Sequence, residues 1–266
     1  MFLSIVILSF NSSKHIEKCL NHVIESMDSI DKPYEVFVVE NGSLDGSIDI
    51  LEKYQQQFPD VMNVIPLDHN TGTTYSRNVA LKRVTGEHVL VLDSDAYINA
   101  DAIVKLAEFL DNNAQCGMAV PRLFYRSGNY QISCDEFPTL WVKAKRFLFL
   151  KKMEVKGDSL SAAQQPTNVD YAISACWMIS RNCFEKVGLL DEKIFYSPED
   201  VDYCIRVWKA GFEISYIPEA NVVHDAQELS RGFKITKFHF SHLKGLFYLM
   251  WKYKFLWSAN KLRMCK

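Results

Sequence analysis

EHVLVLDSDA (87–96) joins a short apolar run to two carboxylates, Asp93 and Asp95. Glu87 to Leu92 reads as a strand, because the run is brief, apolar and ends in polar residues. Carboxylates two apart in an extended turn can converge on one hard cation. Magnesium and manganese suit such oxygen ligands and keep a diphosphate as co-ligand. A plainer reading of the same residues has Asp93 closing the strand end and Asp95 capping the next helix.

Working outward, the same rhythm repeats. Leu3 to Leu8 is continuously apolar, rich in Ile and Val, and bounded by Ser9, Asn11 and Ser12, which predicts a strand buried on both faces. Ser12 or Ser13 is placed to cap a helix running to about Met27. Strands are predicted over Tyr34 to Val39 and Val61 to Leu67, and helices over Ser43 to Tyr54, Thr73 to Val84 and Ala100 to Leu110. Such alternation implies βαβ units and a mainly parallel sheet flanked by helices. A strand over Met118 to Phe124 follows. Then Tyr125 to Asn168 breaks the pattern with Gly, Ser, Pro and Gln around the apolar-basic patch WVKAKRFLFLKK (141–152), and reads as an insertion over the sheet. Strands are expected again at Val169 to Ile179, Glu213 to Ile217 and Asn221 to His224, with helices at Arg181 to Val187 and Pro198 to Ala210. The tail from Lys234 to about Phe255 is predicted helical.

In open α/β sheets, ligands bind beyond the carboxyl ends of the strands. Here those ends carry Ser9-Phe10-Asn11, Glu40-Asn41-Gly42, Asp68-His69-Asn70 and Asp93-Ser94-Asp95. In SPEDVDYCIRVWKAG (197–211), Glu199, Asp200 and Asp202 crowd a first helical turn. Ser197 as N-cap, Pro198 as first helical residue, dipole compensation and an Asp202–Arg206 pair would account for them. A carboxylate there could equally serve as general base for a hydroxyl. Arg77 can contact phosphate or sugar oxygens, or simply lie solvated. His224, ending the run ANVVH, is a possible third metal ligand or a structural histidine.

Together these segments resemble the family-two inverting glycosyltransferases, in the style of the bacterial rhamnosyltransferase-like branch. The resemblance runs from Leu3 to about Ser230. It rests on SIVILSFN (4–11), VVENGSLDGS (38–47), NTGTTYSRN (70–78), VLVLDSDA (89–96), ISACWMISRNCFEKVGLLDE (173–192), YSPEDVDYCIRVWKAG (196–211) and VVH (222–224), in that order. It implies the GT-A nucleotide-diphospho-sugar transferase fold over 1–230, with a nucleotide-binding half at 1–124, an acceptor-side half at 125–230, and a basic, aromatic helical tail at 231–266. It implies that Glu40 and Asp45 hold the base and ribose, with Ser9 to Asn11 lining that pocket. Arg77 and Asn78 would face the ribose-phosphate region. Asp93, Ser94 and Asp95 match the family's metal triplet, for Mg2+ or Mn2+, with His224 helping to hold the metal or diphosphate. Asp200 matches the catalytic base, with Glu199 and Asp202 supporting it, and Trp177 and Tyr196 fall on the acceptor side. Two departures stand out. Glu40 replaces the usual Asp, which implies a longer or shifted nucleotide contact, and Ala175 replaces a common Gly before the large Trp177.

The resemblance implies a nucleoside-diphosphate sugar donor, UDP- or dTDP-linked, and a glycan or lipid-linked acceptor in surface polysaccharide synthesis. Two other functions compete with this one. A sugar-phosphate nucleotidyltransferase would carry a glycine-rich loop after the first strand, where SFNSSKHIEK has none. A non-catalytic nucleotide-sugar binder or scaffold would not need the acids at 93, 95 and 200.

The 266 residues are 48% apolar and 23% charged, ordinary for a globular protein, and the net charge of -2 gives no reason for a nucleic-acid partner. The seven cysteines are scattered singly, against a zinc site or disulfide framework. MFLSIVILSFN has no basic leader, and no apolar run reaches membrane-spanning length. A reducing, cytoplasmic setting is therefore expected, peripheral to the inner face of a membrane if the tail docks there. After Glu228 there is no acidic residue, while Arg231, Lys234, Lys237, Lys244, Lys252, Lys254, Lys261, Arg263 and Lys266 follow. LFYLMWKYKFLW (246–257) suits an anionic membrane surface, or a helix packed on the domain or on a second subunit.

Overall fold

A computed structural model describes residues 1–139, 160–226, 237–254 and 262. The patch at 141–152 and the tail beyond Lys254, apart from Leu262, lie outside them. The predicted βα rhythm is present: β1 (Leu3–Ser9), α1 (Ile16–Ile30), β2 (Tyr34–Asn41), α2 (Ser47–Gln57), β3 (Met62–Leu67), α3 (Thr73–Leu81), β4 (His88–Asp93), then a two-residue β5 (Ala96–Tyr97), α4 (Ala100–Asn112) and β6 (Cys116–Phe124). Short strands β7 (Tyr130–Gln131), β8 (Cys134–Asp135), β9 (Thr167–Asn168) and β10 (Tyr171–Ala172) follow. The series ends with β11 (Cys176–Ser180), α5 (Arg181–Val187), α6 (Glu199–Lys209), β12 (Glu213–His224) and α7 (Lys237–Tyr253).

The main sheet runs β3-β2-β1-β4-β11-β6-β12-β5, with β7 on β6 and β9 on β12. Its first half is parallel, β3 to β4. The expectation of a mainly parallel sheet needs refinement in the second half. There β11 enters antiparallel between β4 and β6, while β12 runs parallel to β6. The predicted single strand over Val169 to Ile179 is split into β10 and β11. The two predicted strands at Glu213 to Ile217 and Asn221 to His224 are one, because a bulge between Ile217 and Asn221 absorbs the intervening residues without ending the pairing.

Both faces of the sheet are buried, as the aliphatic runs require. In β1, Leu3, Ile5 and Ile7 pack on one side with α1, α2 and α4. Val6 packs on the other with residues of α3, α5, α6 and α7. In β4, Leu90 and Leu92 divide from Val89 and Val91 in the same way, the period of two that a pleated strand imposes. Leu249 and Met250 of α7 bury into the second cluster, so the tail helix is part of that core. Six cysteines among the described residues are buried and unbridged. No helix among the described residues is long and apolar enough to cross a membrane.

Helix starts differ from expectation in an informative way. Neither Ser12 nor Ser13 caps α1 with its side chain. The Ser12 carbonyl takes the His15 and Ile16 amides, and its hydroxyl pairs with that of Ser9 (2.7 Å). Helix α4 is capped by Asn99, whose side chain accepts from the Ala102 amide (2.8 Å). Asp95 is thus not that helix's cap.

Candidate active site

Strand β4 ends at Asp93, in the middle of the sheet, and the chain turns through Ser94 and Asp95 into β5. Two residues of β5 suffice to pair antiparallel with the end of β12, Val223 against Tyr97 and His224 against Ala96. The Asp225 amide donates to the Asp95 carbonyl (2.9 Å). This bridge carries His224 back to the acidic turn. Its Nε2 lies 3.3 Å from Asp95 Oδ1 and 3.9 Å from Asp93 Oδ2. One ligand atom from each of Asp93, Asp95 and His224 falls within 4.8 Å of the others. Two hard oxygen donors and an imidazole within that span fit a divalent cation. On the far side of the ring, His224 Nδ1 is 3.0 Å from Gln131 Oε1, on β7. Such an outer partner fixes the ring and its tautomer.

Arg77, on α3, is 1% exposed. The alternative of a solvated arginine is therefore excluded. Its guanidinium donates to Asp93 Oδ1 and to the Ser174 hydroxyl (2.9 Å), and lies 3.6 Å from Glu199 Oε1. Ser174 in turn donates to Glu199 (2.8 Å). The acidic turn and the first turn of α6 thus share one buried cation. Burial and the neighbouring Asp200 charge push Glu199 up to about 8 against the opposing pull of Arg77. Burial also raises Asp93, with Arg77 opposing and Asp95 adding to the effect. Asp200 is half-buried at the start of α6, and its Oδ1 accepts the Val201 amide (2.8 Å). The exposed Tyr196 stands close enough to Glu199, Asp93 and Asp200 that, after burial, their charges raise its phenol.

The loops ending β1 and β2 form a second, linked edge. Asn11, at φ 49°, gives its amide to the Ser43 hydroxyl (2.9 Å) and accepts the Leu44 amide (3.1 Å). Asp45 accepts from the Ser13 amide (2.9 Å) and from Ser47. Although burial would raise its carboxyl, these hydrogen bonds hold it down at about 2. Glu40 turns back on its own loop, accepting the Gly42 and Ser43 amides (3.1 and 2.8 Å).

Not every predicted site residue meets this cluster. The side-chain amide of Asn78 is buried and engaged by Leu190 and Glu192. With Thr74, which donates to the Ile194 carbonyl (2.6 Å), it clamps the approach to α6. Gly72 fits there at φ 84°, where a Cβ would lie 2.3 Å from the Phe195 carbonyl oxygen. Trp177 is buried, stacked on Tyr203, and donates to the Ala172 carbonyl (3.2 Å). Its place on β11 points it into the core. Asp202 is also buried and is engaged by Arg206 (2.9 Å), Lys252 (2.6 Å) and Tyr253 (2.7 Å). It holds the tail helix, not the acidic turn. Sequence reasoning missed Ser174 and Gln131. Ser174 sits inside a quoted motif; Gln131 had no signal, since only the β6–β7 pairing brings it near His224.

Residues 4–188 match the family model described as Glycosyl transferase family 2. The chain is 26% identical over 249 residues to poly(ribitol-phosphate) beta-glucosyltransferase of Bacillus spizizenii, which takes in 89% of this chain but 37% of that protein. It is 24% identical over 241 residues to N-acetylglucosaminyl-diphospho-decaprenol L-rhamnosyltransferase of Mycobacterium tuberculosis, covering 84% of this chain and 75% of that one. Its structure resembles that of GalNAc-T7 solved with UDP, GalNAc and Mn2+, with a TM-score of 0.69 at 14% identity, over 99% of this chain and 53% of the other. That likeness is one of fold, the GT-A fold expected from the sequence. The family match spans most of the chain and takes in the acidic turn, Arg77 and Ser174, and on it the chain belongs to glycosyl transferase family 2.

Proposed function

We propose that the chain is an inverting glycosyltransferase that moves a sugar from a UDP- or dTDP-linked donor to a hydroxyl of a glycan or lipid-linked acceptor, in bacterial surface polysaccharide synthesis. The observation that carries this reading is the meeting of Asp93, Asp95 and His224 at the sheet's ligand edge. The names of the glucosyl- and rhamnosyltransferase relatives, and the UDP and Mn2+ bound to GalNAc-T7, support it. Asp93, Asp95 and His224 would hold Mg2+ or Mn2+, whose charge stabilises the departing diphosphate.

The remaining work falls to the chain's own groups. The linked loops bearing Ser9, Asn11, Glu40 and Asp45 offer an edge for the nucleoside. Ser94 lies within the acidic turn. Asp200 is the base: it takes the acceptor hydroxyl's proton as that oxygen bonds to the anomeric carbon and the bond to the diphosphate oxygen breaks on the opposite face. The centre inverts in one displacement. A carboxylate is a far weaker base than an alkoxide, so the proton moves late, once the attacking oxygen has become acidic. Buried Glu199, next to Asp200 in the chain, is held by Arg77 and Ser174, and Tyr196 borders the acceptor's approach.

The test combines binding and turnover. UDP or dTDP should raise the thermal midpoint of the wild type when manganese is present, since a ligand bound to the folded state alone stabilises it by mass action. Asp95→Ala should abolish that shift. Asp200→Asn should retain the shift and lose transfer to a hydroxyl acceptor. A wild type stabilised by no nucleotide under any metal sinks the proposal, and Asp200→Asn with full turnover removes Asp200 from the role.

A further inference from the structure

The tail helix has two unlike faces. Leu246, Leu249 and Met250 are buried in the core. Lys252 reaches both Asp191 and Asp202 (2.6 Å each), Tyr248 donates to Asp191 (2.7 Å) and Tyr253 to Asp202 (2.7 Å). Gly245 lies flat against the segment before Asp200: a Cβ there would stand 2.5 Å from both the Ser197 carbonyl oxygen and Pro198 Cδ. These contacts fix the rotation of the helix. The opposite face is therefore held outward, and it carries large apolar side chains at four-residue spacing: Leu243 is 51% exposed, Phe247 63% and Trp251 77%. Residues four apart stack along one side of a helix, so the three form a ridge. Exposed Lys244 and Lys254 accompany it.

Charge selects the occupant. From residue 229 to the end the sequence holds basic residues and no acidic ones, although the chain as a whole has a net charge of -2. A ridge meant for a second copy of the chain would gain nothing from charge confined to one sign, and two such faces would repel. An apolar, aromatic ridge set among lysines matches a layered partner, with an anionic surface over a hydrocarbon interior. Trp and Phe lower into the acyl boundary, while the lysines stay at headgroup level.

We propose that Leu243, Phe247 and Trp251, with Lys244 and Lys254, are the docking face of this protein for an anionic phospholipid surface. The helix would lie in the plane of the interface, its buried face still gripping Asp191, Ser197-Pro198 and Asp202. The candidate active site would then stand at the membrane. This inference goes beyond the transferase proposal and does not depend on it, because its readout is lipid binding without donor or acceptor.

The experiment is vesicle flotation of the full chain, with vesicles of mixed phosphatidylcholine and phosphatidylglycerol against phosphatidylcholine alone. Wild type should float with the anionic vesicles at low salt, less so at high salt, and not with neutral ones. F247S/W251S, which alters only exposed side chains, should lower partitioning about tenfold or more. K244E/K254E should lower it on the order of fivefold for each charge removed, and more for the reversal. Circular dichroism and an unchanged thermal midpoint establish that the variants are folded. Failure of the wild type to bind anionic vesicles overturns the proposal. So does binding that neither pair of substitutions weakens. A wild type that sediments as a dimer, while F247S/W251S sediments as a monomer, also overturns it and gives the ridge to a second copy.

Discussion

Arg77 lies 3.6 Å from Glu199 and donates to Asp93 with its other amino group, so one buried guanidinium ties the acidic turn to the first turn of α6. Replacing it with methionine would leave the Asp93 carboxylate without this counter-charge and strip Glu199 and Ser174 of their buried neighbour. Removing one partner of a buried ionic group typically costs about 3–5 kcal/mol. Arg77→Met should lose stability on that scale in urea denaturation. A loss under about 1 kcal/mol would mean that the three groups are not coupled as the structure has them.

Glu199 should make stability depend on pH. Its proton is held to about pH 8 in the folded state, against an ordinary value of 4.5. The folded chain therefore binds more protons than the unfolded chain between those values. This contribution is fully present below the ordinary value and is lost as pH rises through about 8. In buffer containing a chelator, the urea midpoint of the wild type should fall across that window. Glu199→Gln, which stays neutral, should flatten the fall. Parallel profiles for the two proteins would show that Glu199 is ionised throughout.

Gln131 should matter for the metal without touching it. It stands 3.0 Å from the His224 nitrogen that faces away from Asp93 and Asp95. Outer partners of this kind are worth roughly ten- to a hundredfold in metal affinity. Gln131→Leu should weaken manganese binding by that factor in calorimetric titration, and Asp95→Ala should weaken it further. Equal affinity in Gln131→Leu and wild type would leave His224 outside the site.

Gly245→Ala tests how far the tail helix positions the chemistry. The new methyl has to displace Ser197 or Pro198, which lie three and two residues before Asp200. Displacing a catalytic group by about 1 Å can cost on the order of a hundredfold in turnover. The expected outcome is a lower kcat with little change in the nucleotide-induced thermal shift. An unchanged kcat would mean that the 197–200 segment is set by α3 alone.

Much of the fold was legible because β1, β2 and β4 are aliphatic runs that only a sheet covered on both sides can bury, and their polar ends mark one edge. The acidic turn was legible for the same reason: Asp93 and Asp95 follow an apolar strand directly. What the sequence concealed depends on partners far along the chain. Nothing local says that β11 inserts antiparallel, that Arg77 is buried, or that Asp202 belongs to Lys252 and Tyr253. An acid in a first helical turn looks alike whether it serves a dipole, a substrate or a distant lysine. Trp177 illustrates the limit from the apolar side, since its place next to site residues in sequence says nothing about which face of β11 it occupies.

The pairing of β5 with the end of β12 joins segments that lie far apart along the chain. The strand that carries His224 to Asp95 is also paired with β6 along its length, while Ala96–Tyr97 contributes only two residues to its hold. Contacts between distant segments bear the full entropy of closing the intervening loop, so they form late. A chain still emerging from the ribosome carries Asp93 and Asp95 but lacks their imidazole. The candidate cation site is therefore a property of the whole fold: a copy cut before β12 keeps Asp93 and Asp95 but not the His224 that stands beside them.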